Sequence, residues 1–198
     1  MADYKGIKGF TIQNLSADPP APIVGQVWYN STTNDLKGYT SSSGAWSSGT
    51  AIPAATNAMA GAGTTTATLY WGGAPYDNVG SLTWEYDGST WTAGGGMTSI
   101  LAGNAGLGTQ TAALGAGGYN GSGYQTDTAM EYNGTGWTAV TADPASGASY
   151  RATAGIQTAG LTVGGYDGSP PDSNITSLYN GSTWTEGGNY PIGKRGLL

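Results

Sequence analysis

Three anchors recur along the chain at nearly constant spacing, and no other feature constrains its fold as strongly. A Gly-Gly pair closes an apolar run at Gly72-Gly73, Gly117-Gly118 and Gly164-Gly165. A Tyr followed by Asp-Gly or Asn-Gly comes next, at Tyr86-Asp87-Gly88, Tyr132-Asn133-Gly134 and Tyr179-Asn180-Gly181. Trp-Thr ends each unit, at Trp91-Thr92, Trp137-Thr138 and Trp184-Thr185, and the tryptophans stand 46 and 47 residues apart. Such a period is the signature of stacked supersecondary units.

Each unit reads as four short strands. In the first, residues 57–63 suit a tight inner strand, residues 67–73 an apolar strand stopped by the glycines, and residues 82–86 a third. Asp87-Gly88 is then a strong two-residue hairpin signal leading into an outer strand from Ser89 to Thr92. No stretch has helical periodicity. A four-stranded unit of about 46 residues is the pattern of a β-propeller blade. Inner strands crowd an axis, so small residues are expected at Ala58, Ala60, Gly61, Ala102, Gly103, Ala154 and Gly155. Tyr86, Tyr132, Tyr179, Trp91, Trp137 and Trp184 are expected to fill the widening space between blades.

The expected organisation is an attachment arm and Pro-rich spacer over 1–22, then a repeat domain over 23–198. The domain comprises a partial blade at 23–50, blades at 51–96, 97–142 and 143–189, and an opening strand at 190–198. Within the partial blade, Gly25–Asn30, Asp35–Tyr39 and Ala45–Ser48 read as strands, with Trp46 standing 45 residues before Trp91. Two accounts of the incomplete ends are open. The C-terminal strand closes onto the N-terminal strands as a composite blade, giving a closed four-bladed propeller and removing exposed sheet edges. Otherwise the ends pair with other copies, or the chain is part of a longer repeat protein.

Composition limits the chemistry. Among 198 residues there is no Cys and no His, which removes thiolate and Ser-His-Asp nucleophiles, disulfides and Cys/His metal sites. Net charge is −6, and the 113 residues between Lys37 and Arg151 contain no Lys or Arg, a poor surface for phosphates, so no nucleic-acid partner is expected. No apolar run approaches the roughly 20 residues of a membrane span, and no membrane insertion is expected. Paired carboxylates could serve a glycosidase. Glu85 and Glu131, however, recur with the repeat, each before its anchor Tyr, and Glu85 and Asp87 are expected to face solvent. The expectation is a protein that is not an enzyme and has no cofactor and no metal.

The Gly-Gly, Tyr and Trp offsets over residues 51–198 resemble the kelch repeat family. The chain is more closely similar to a group of kelch-like proteins of marine phages and their hosts. These begin with a MADYKxIKGF-type leader and a GQxWYN segment, followed by AGAGTQTAAL and YNGTSWT units. Here Met1–Phe10, Gly25–Asn30, Ala105–Leu114 and Tyr132–Thr138 match. The resemblance implies a viral structural protein of the virion, in a phage tail, tail fibre or neck. It would be assembled in the host cytoplasm, with other virion proteins and further copies of itself (a homo-oligomer) as partners. A host-encoded extracellular or cell-surface module, binding carbohydrate or protein, is the alternative.

Two groups of residues are candidates for function. In the leader, Lys5, Ile7, Lys8, Phe10 and Ile12 form a candidate attachment arm, separated from the repeats by a stiff Asp18–Pro22 spacer. The loops between second and third strands of each unit differ most. There Tyr76, Tyr119, Tyr124 and Tyr166 could stack on sugar rings, while Asp77, Asn120, Asp127 and Asp167 accept hydroxyl hydrogen bonds. Host surface glycans are the expected ligands, and host recognition the expected role, with solvated turns as the bland reading of the same residues.

Overall fold

The computed structural model describes residues 12–40, 48–74, 78–120, 122, 125–143 and 147–196. The chain divides into two units, residues 1–48 and 49–198. In the first, β1 (Gln13–Leu15), β2 (Val27–Asn30) and β3 (Asp35–Gly38) form one sheet in the order β1-β2-β3. The β2–β3 pair is the antiparallel hairpin expected from the sequence, with Asn30 capping its turn through Oδ1 to the amides of Thr32 and Thr33. Strand β1 was not expected. It runs parallel to β2, with Gln13 opposite Trp28, and takes the edge of β2 that a composite blade would need.

Asp18, the first residue of the stretch expected as a stiff spacer, is bonded to this sheet. Asp18 accepts hydrogen bonds from Trp28 Nε1 (2.9 Å), Asn30 Nδ2 (2.8 Å) and Lys37 Nζ (2.8 Å). These bonds, led by that from Lys37, hold its carboxyl down at about 2. One carboxylate satisfying three donors is the physical reason why residues 12–22 belong with the hairpin. The strand expected around Trp46 falls outside the described residues.

The second unit contains three four-stranded antiparallel sheets, one per repeat. The first is β4 (Ala60–Thr64), β5 (Ala67–Trp71), β6 (Thr83–Tyr86) and β7 (Trp91–Ala93). The second is β8 (Ala105–Thr109), β9 (Ala112–Ala116), β10 (Ala129–Tyr132) and β11 (Trp137–Val140). The third is β12 (Ala152–Ile156), β13 (Ala159–Val163), β14 (Thr176–Tyr179) and β15 (Trp184–Glu186). A 3-10 turn at Asn78–Ser81 is the one helical element among the described residues. The blade-like, all-β reading therefore holds at the level of four-stranded sheets.

Inner strands β4, β8 and β12 are neighbours in that order. Their small residues permit this: a Cβ on Gly106 would stand 2.8 Å from Ala60 Cβ and from the Trp71 ring. The Gly-Gly pairs act similarly. Gly73 donates to the Leu101 carbonyl, Gly118 to Ala148 and Gly165 to Lys194, each with positive φ. A side chain on Gly72, Gly117 or Gly164 would collide with those same carbonyls.

Contacts between successive sheets repeat residue for residue. Gln110 Nε2 donates back to the carbonyls of Thr68 (3.1 Å) and Tyr86 (2.7 Å), and Gln157 Nε2 to those of Ala113 (3.0 Å) and Tyr132 (2.8 Å). Tyr132 OH donates to Glu85, and Tyr179 OH to Glu131 at 2.9 Å. Glu85 is thus half-buried and engaged, against the expectation that it faces solvent. Asp87 is exposed and accepts from the amides and hydroxyls of Ser89 and Thr90, which lowers its pKa.

Two series mark the ends of the array. Gly103 donates to Ala58 (2.7 Å), Tyr150 to Gly103 (2.7 Å) and Gly196 to Tyr150 (2.9 Å), and all four residues have φ between 53° and 63°. Gly196 therefore stands where a unit opens, although residues 190–196 form no strand. At the other end, Trp91 Nε1 donates to the Thr50 carbonyl just as Trp184 Nε1 donates to that of Thr141. Residues 49–50 therefore occupy the place of an outer-strand end ahead of the first sheet.

Candidate functional site

The variable loops of the second and third sheets meet. Tyr119 forms isolated bridges to Ala102 and Gln125, which folds the loop back on itself, and Tyr166 bridges to Ser149. Gln125 Nε2 then donates to the Tyr166 carbonyl at 3.1 Å, tying one loop to the next. Between them lies an open groove of about 430 Å³ lined by Asn120, Gln125, Thr126, Asp127, Gly147 and Asp167.

Three residues expected from the sequence, Asn120, Asp127 and Asp167, are brought together in this groove. Asn120 Oδ1 and Asp167 Oδ1 each accept an amide two residues on, from Ser122 and Ser169 at 3.0 Å, which sets the turn and fixes the side chain. Both Asp side chains are exposed, and among the described residues no cation lines the groove, so these carboxylates present acceptors. Tyr119 packs edge-on against Tyr150 with ring centroids 5.8 Å apart. The face of Tyr166 is taken by the Arg195 guanidinium, 4.3 Å from the ring centroid, and Arg195 in turn lies 3.4 Å from Asp172. Tyr76, Asp77 and Tyr124 lie outside the described residues. Among the described residues no group of three or more Asp or Glu side chains is placed to share a metal ion.

Sequence reasoning missed Gln125, Tyr150 and Arg195. Gln125 and Arg195 carry no local signal, because their roles depend on which loop faces which. Tyr150 does carry one. It occupies the left-handed position that Ala58 and Gly103 fill in the earlier units, with φ 56° and 42% of its surface exposed. A bulky residue at positive φ is an outlier that such a position seldom tolerates, and such outliers concentrate at functional sites.

In the leader, Lys5, Ile7, Lys8 and Phe10 lie outside the described residues. Ile12 is exposed and lines an apolar groove with Ile23, Val24 and Val27, all exposed as well. No protein-family model matches the chain, and comparison with curated proteins finds no match.

Proposed function

We propose that the chain is a non-enzymatic structural and adhesion component of a phage virion, in a tail, fibre or neck, whose kelch-like propeller blades present loops to host surface glycans. The observation that carries the glycan part is the groove itself. It holds fixed planar acceptors at Asn120 and Asp167, and Tyr119, the chain neighbour of Asn120, pairs its ring with Tyr150. Carbohydrate requires such a set: carboxylates and amides accept hydroxyl hydrogen bonds, and aromatic rings cover the C–H faces of the sugar.

The virion part rests on the resemblance of Met1–Phe10 and Gly25–Asn30 to phage leaders. The exposed apolar groove at Ile12, Ile23, Val24 and Val27 supports an attachment role for the same unit. The blade reading is supported by the repeated clasps and by the four equivalent stations Ala58, Gly103, Tyr150 and Gly196. Closure through a composite N- and C-terminal blade loses support, since β1 already pairs with the required edge of β2.

The test is mass spectrometry of purified particles combined with binding of the purified chain to host surface polysaccharide. The chain is expected in the particles. Tyr150→Gly is expected to weaken glycan binding roughly tenfold or more while holding or raising the melting temperature, because glycine relieves the positive φ. Absence from particles, or polysaccharide binding unchanged in Tyr150→Gly and Asp167→Ala, overturns the corresponding half of the reading.

A further inference from the structure

The clasps between sheets do not tell one sheet from another. Gln157 and Tyr179 of the third sheet are the counterparts of Gln110 and Tyr132 of the second, so the third sheet carries the same groups for bonding to the first. The set runs out only at the ends of the array. Thr65 stands where Gln110 and Gln157 do, and Leu178 where Glu85 and Glu131 do. Leu161, on the side of the third sheet away from the second, stands where Leu69 and Leu114 are buried and is itself half-buried. What separates the second sheet from the third is the packing between the clasps.

That packing is reversed from one interface to the next. The first sheet receives the second on a cross-strand row of Ala60, Trp71 and Thr83, and the second receives the third on Ala105, Ala116 and Ala129. The row that enters is Gly106, Gly115 and Met130 on the second sheet, but Thr153, Thr162 and Ser177 on the third. The Trp71 ring fills the space over the two glycines. A Cβ on Gly106 would stand 2.8 Å from its Cζ2, and one on Gly115 2.8 Å from its Nε1. Neither glycine has a positive φ, so the ring and not the backbone conformation excludes a side chain. Trp71 is 1% exposed, with the Trp137 ring 5.0 Å away, and has no room to swing clear. In the second interface the large and small residues change sides. Thr162 and Ser177 are fully buried there, and Thr153 Oγ1 reaches across to the Gly106 carbonyl at 2.7 Å.

A third sheet laid on the first would therefore drive Thr153 and Thr162 into the Trp71 ring. A second sheet laid on the second sheet of another copy would leave the glycine socket unfilled, because Ala116 has no ring to enter it. Close-packed interiors tolerate neither overlap nor void, and misassembly between like units is the characteristic failure of repeat proteins. We infer that Trp71 and the Gly106–Gly115 socket are a sorting key, which admits the second sheet to the first and turns away the third, from the same chain or from another copy. The inference is independent of the glycan and virion readings.

Two measurements on the full chain test it. Gly115→Thr places the third sheet's residue under the ring and should lower the melting temperature by roughly 5 °C or more. In a Trp71→Ala chain the same change should be neutral or stabilising, since the threonine enters vacated space. The second measurement is refolding by dilution from urea, followed by sedimentation. The wild-type chain is expected to recover its original profile at every concentration. Trp71→Ala, Trp71→Leu and the Trp71→Ala, Gly115→Thr double variant are expected to lose a growing share to larger species as concentration rises. Leu69→Ala, destabilised at the same interface with ring and socket intact, should refold as wild type does. An equal cost of Gly115→Thr in both backgrounds, ring-less variants that refold as completely as wild type, or a Leu69→Ala chain that misassembles as they do each overturns the inference.

Discussion

The interface between the first and second sheets differs from that between the second and third, although both are built on the same repeat. The first is apolar. Leu69, Trp71, Leu101, Met130, Tyr132 and Trp137 are all buried in it, with the Trp71 and Trp137 rings 5.0 Å apart. Its polar accounts do not close: Trp71 Nε1 and both side-chain polar atoms of Asn104 have no hydrogen-bond partner among the described residues. The second interface has a smaller apolar cluster of Leu107, Leu114, Tyr179 and Trp184. To this it adds a buried ion pair between Arg151 and Asp143, with Arg151 also reaching Gly164 O and Ser177 Oγ, and Thr162 reaching Asp143. Burial lowers the Arg151 pKa while Asp143 opposes that shift. One repeat thus supports two kinds of glue. The choice is made at three aligned positions: Asn104 against Arg151, Gly115 against Thr162 and Met130 against Ser177.

The largest effect should come from breaking the charged interface on one side only. Arg151→Met removes the cation from beside the buried Asp143 carboxylate, and urea denaturation should show a loss of about 3–5 kcal/mol. The double change with Asp143→Leu should recover most of it. If single and double variants lose the same amount, the loss does not come from the Asp143 charge left behind.

Leu69→Ala and Leu114→Ala sample the apolar part of each interface and should cost about 2–5 kcal/mol apiece. Leu161→Ala, on the outer face, should cost clearly less in monomeric protein. Equal losses at all three would mean that Leu161 is covered as the others are.

The clasp common to both interfaces has a pH signature. Burial first, and then the bond to Glu85, pushes Tyr132 up to about 12, and burial with Glu131 does the same for Tyr179. Raised phenol values favour the folded state fully below pH 10. That advantage is lost as pH rises from 10 through 12, because the unfolded chain ionises first. Tyr132→Phe and Tyr179→Phe should each cost about 1.5–3 kcal/mol at neutral pH and should flatten this alkaline slope. An unchanged slope in the double variant would assign it to other groups.

The smallest and opposite effect is expected at Asn104. Asn104→Met, which places there the residue the first unit carries as Met59, removes two unpaired buried groups and should stabilise by about 1 kcal/mol. A loss would show that Asn104 is paired in solution.

Much of this fold was legible in the repeat. The Gly-Gly pairs, the Asx-Gly turns and the Tyr-Trp spacing located twelve strands, because each acts within a few residues of itself. Strand β1 was missed because a parallel pairing across 15 residues leaves no turn signal. The Asp18 hub was hidden because its proline neighbours read as a spacer. In the candidate site, Asn120, Asp127 and Asp167 were legible as loop residues, whereas Gln125 and Arg195 depend on which loops meet. Glu85 was misjudged for a related reason: alternation along β6 is visible, but the sheet that follows it is not.

The directionality of the clasp has a consequence for how such a chain can change in length. Only the second sheet carries both halves of it, giving through Gln110 and Tyr132 to the sheet before and receiving through Glu131 from the sheet after. Among the described residues, the first sheet is seen to receive these clasps and the third to give them. A duplicated copy of the middle unit could therefore be spliced between its neighbours with the glutamine and tyrosine–glutamate clasps matched, while a copy added before the first sheet would meet Thr65 and one added after the third would meet Leu178. Among these three sheets, the middle one is the unit whose duplication preserves both clasps.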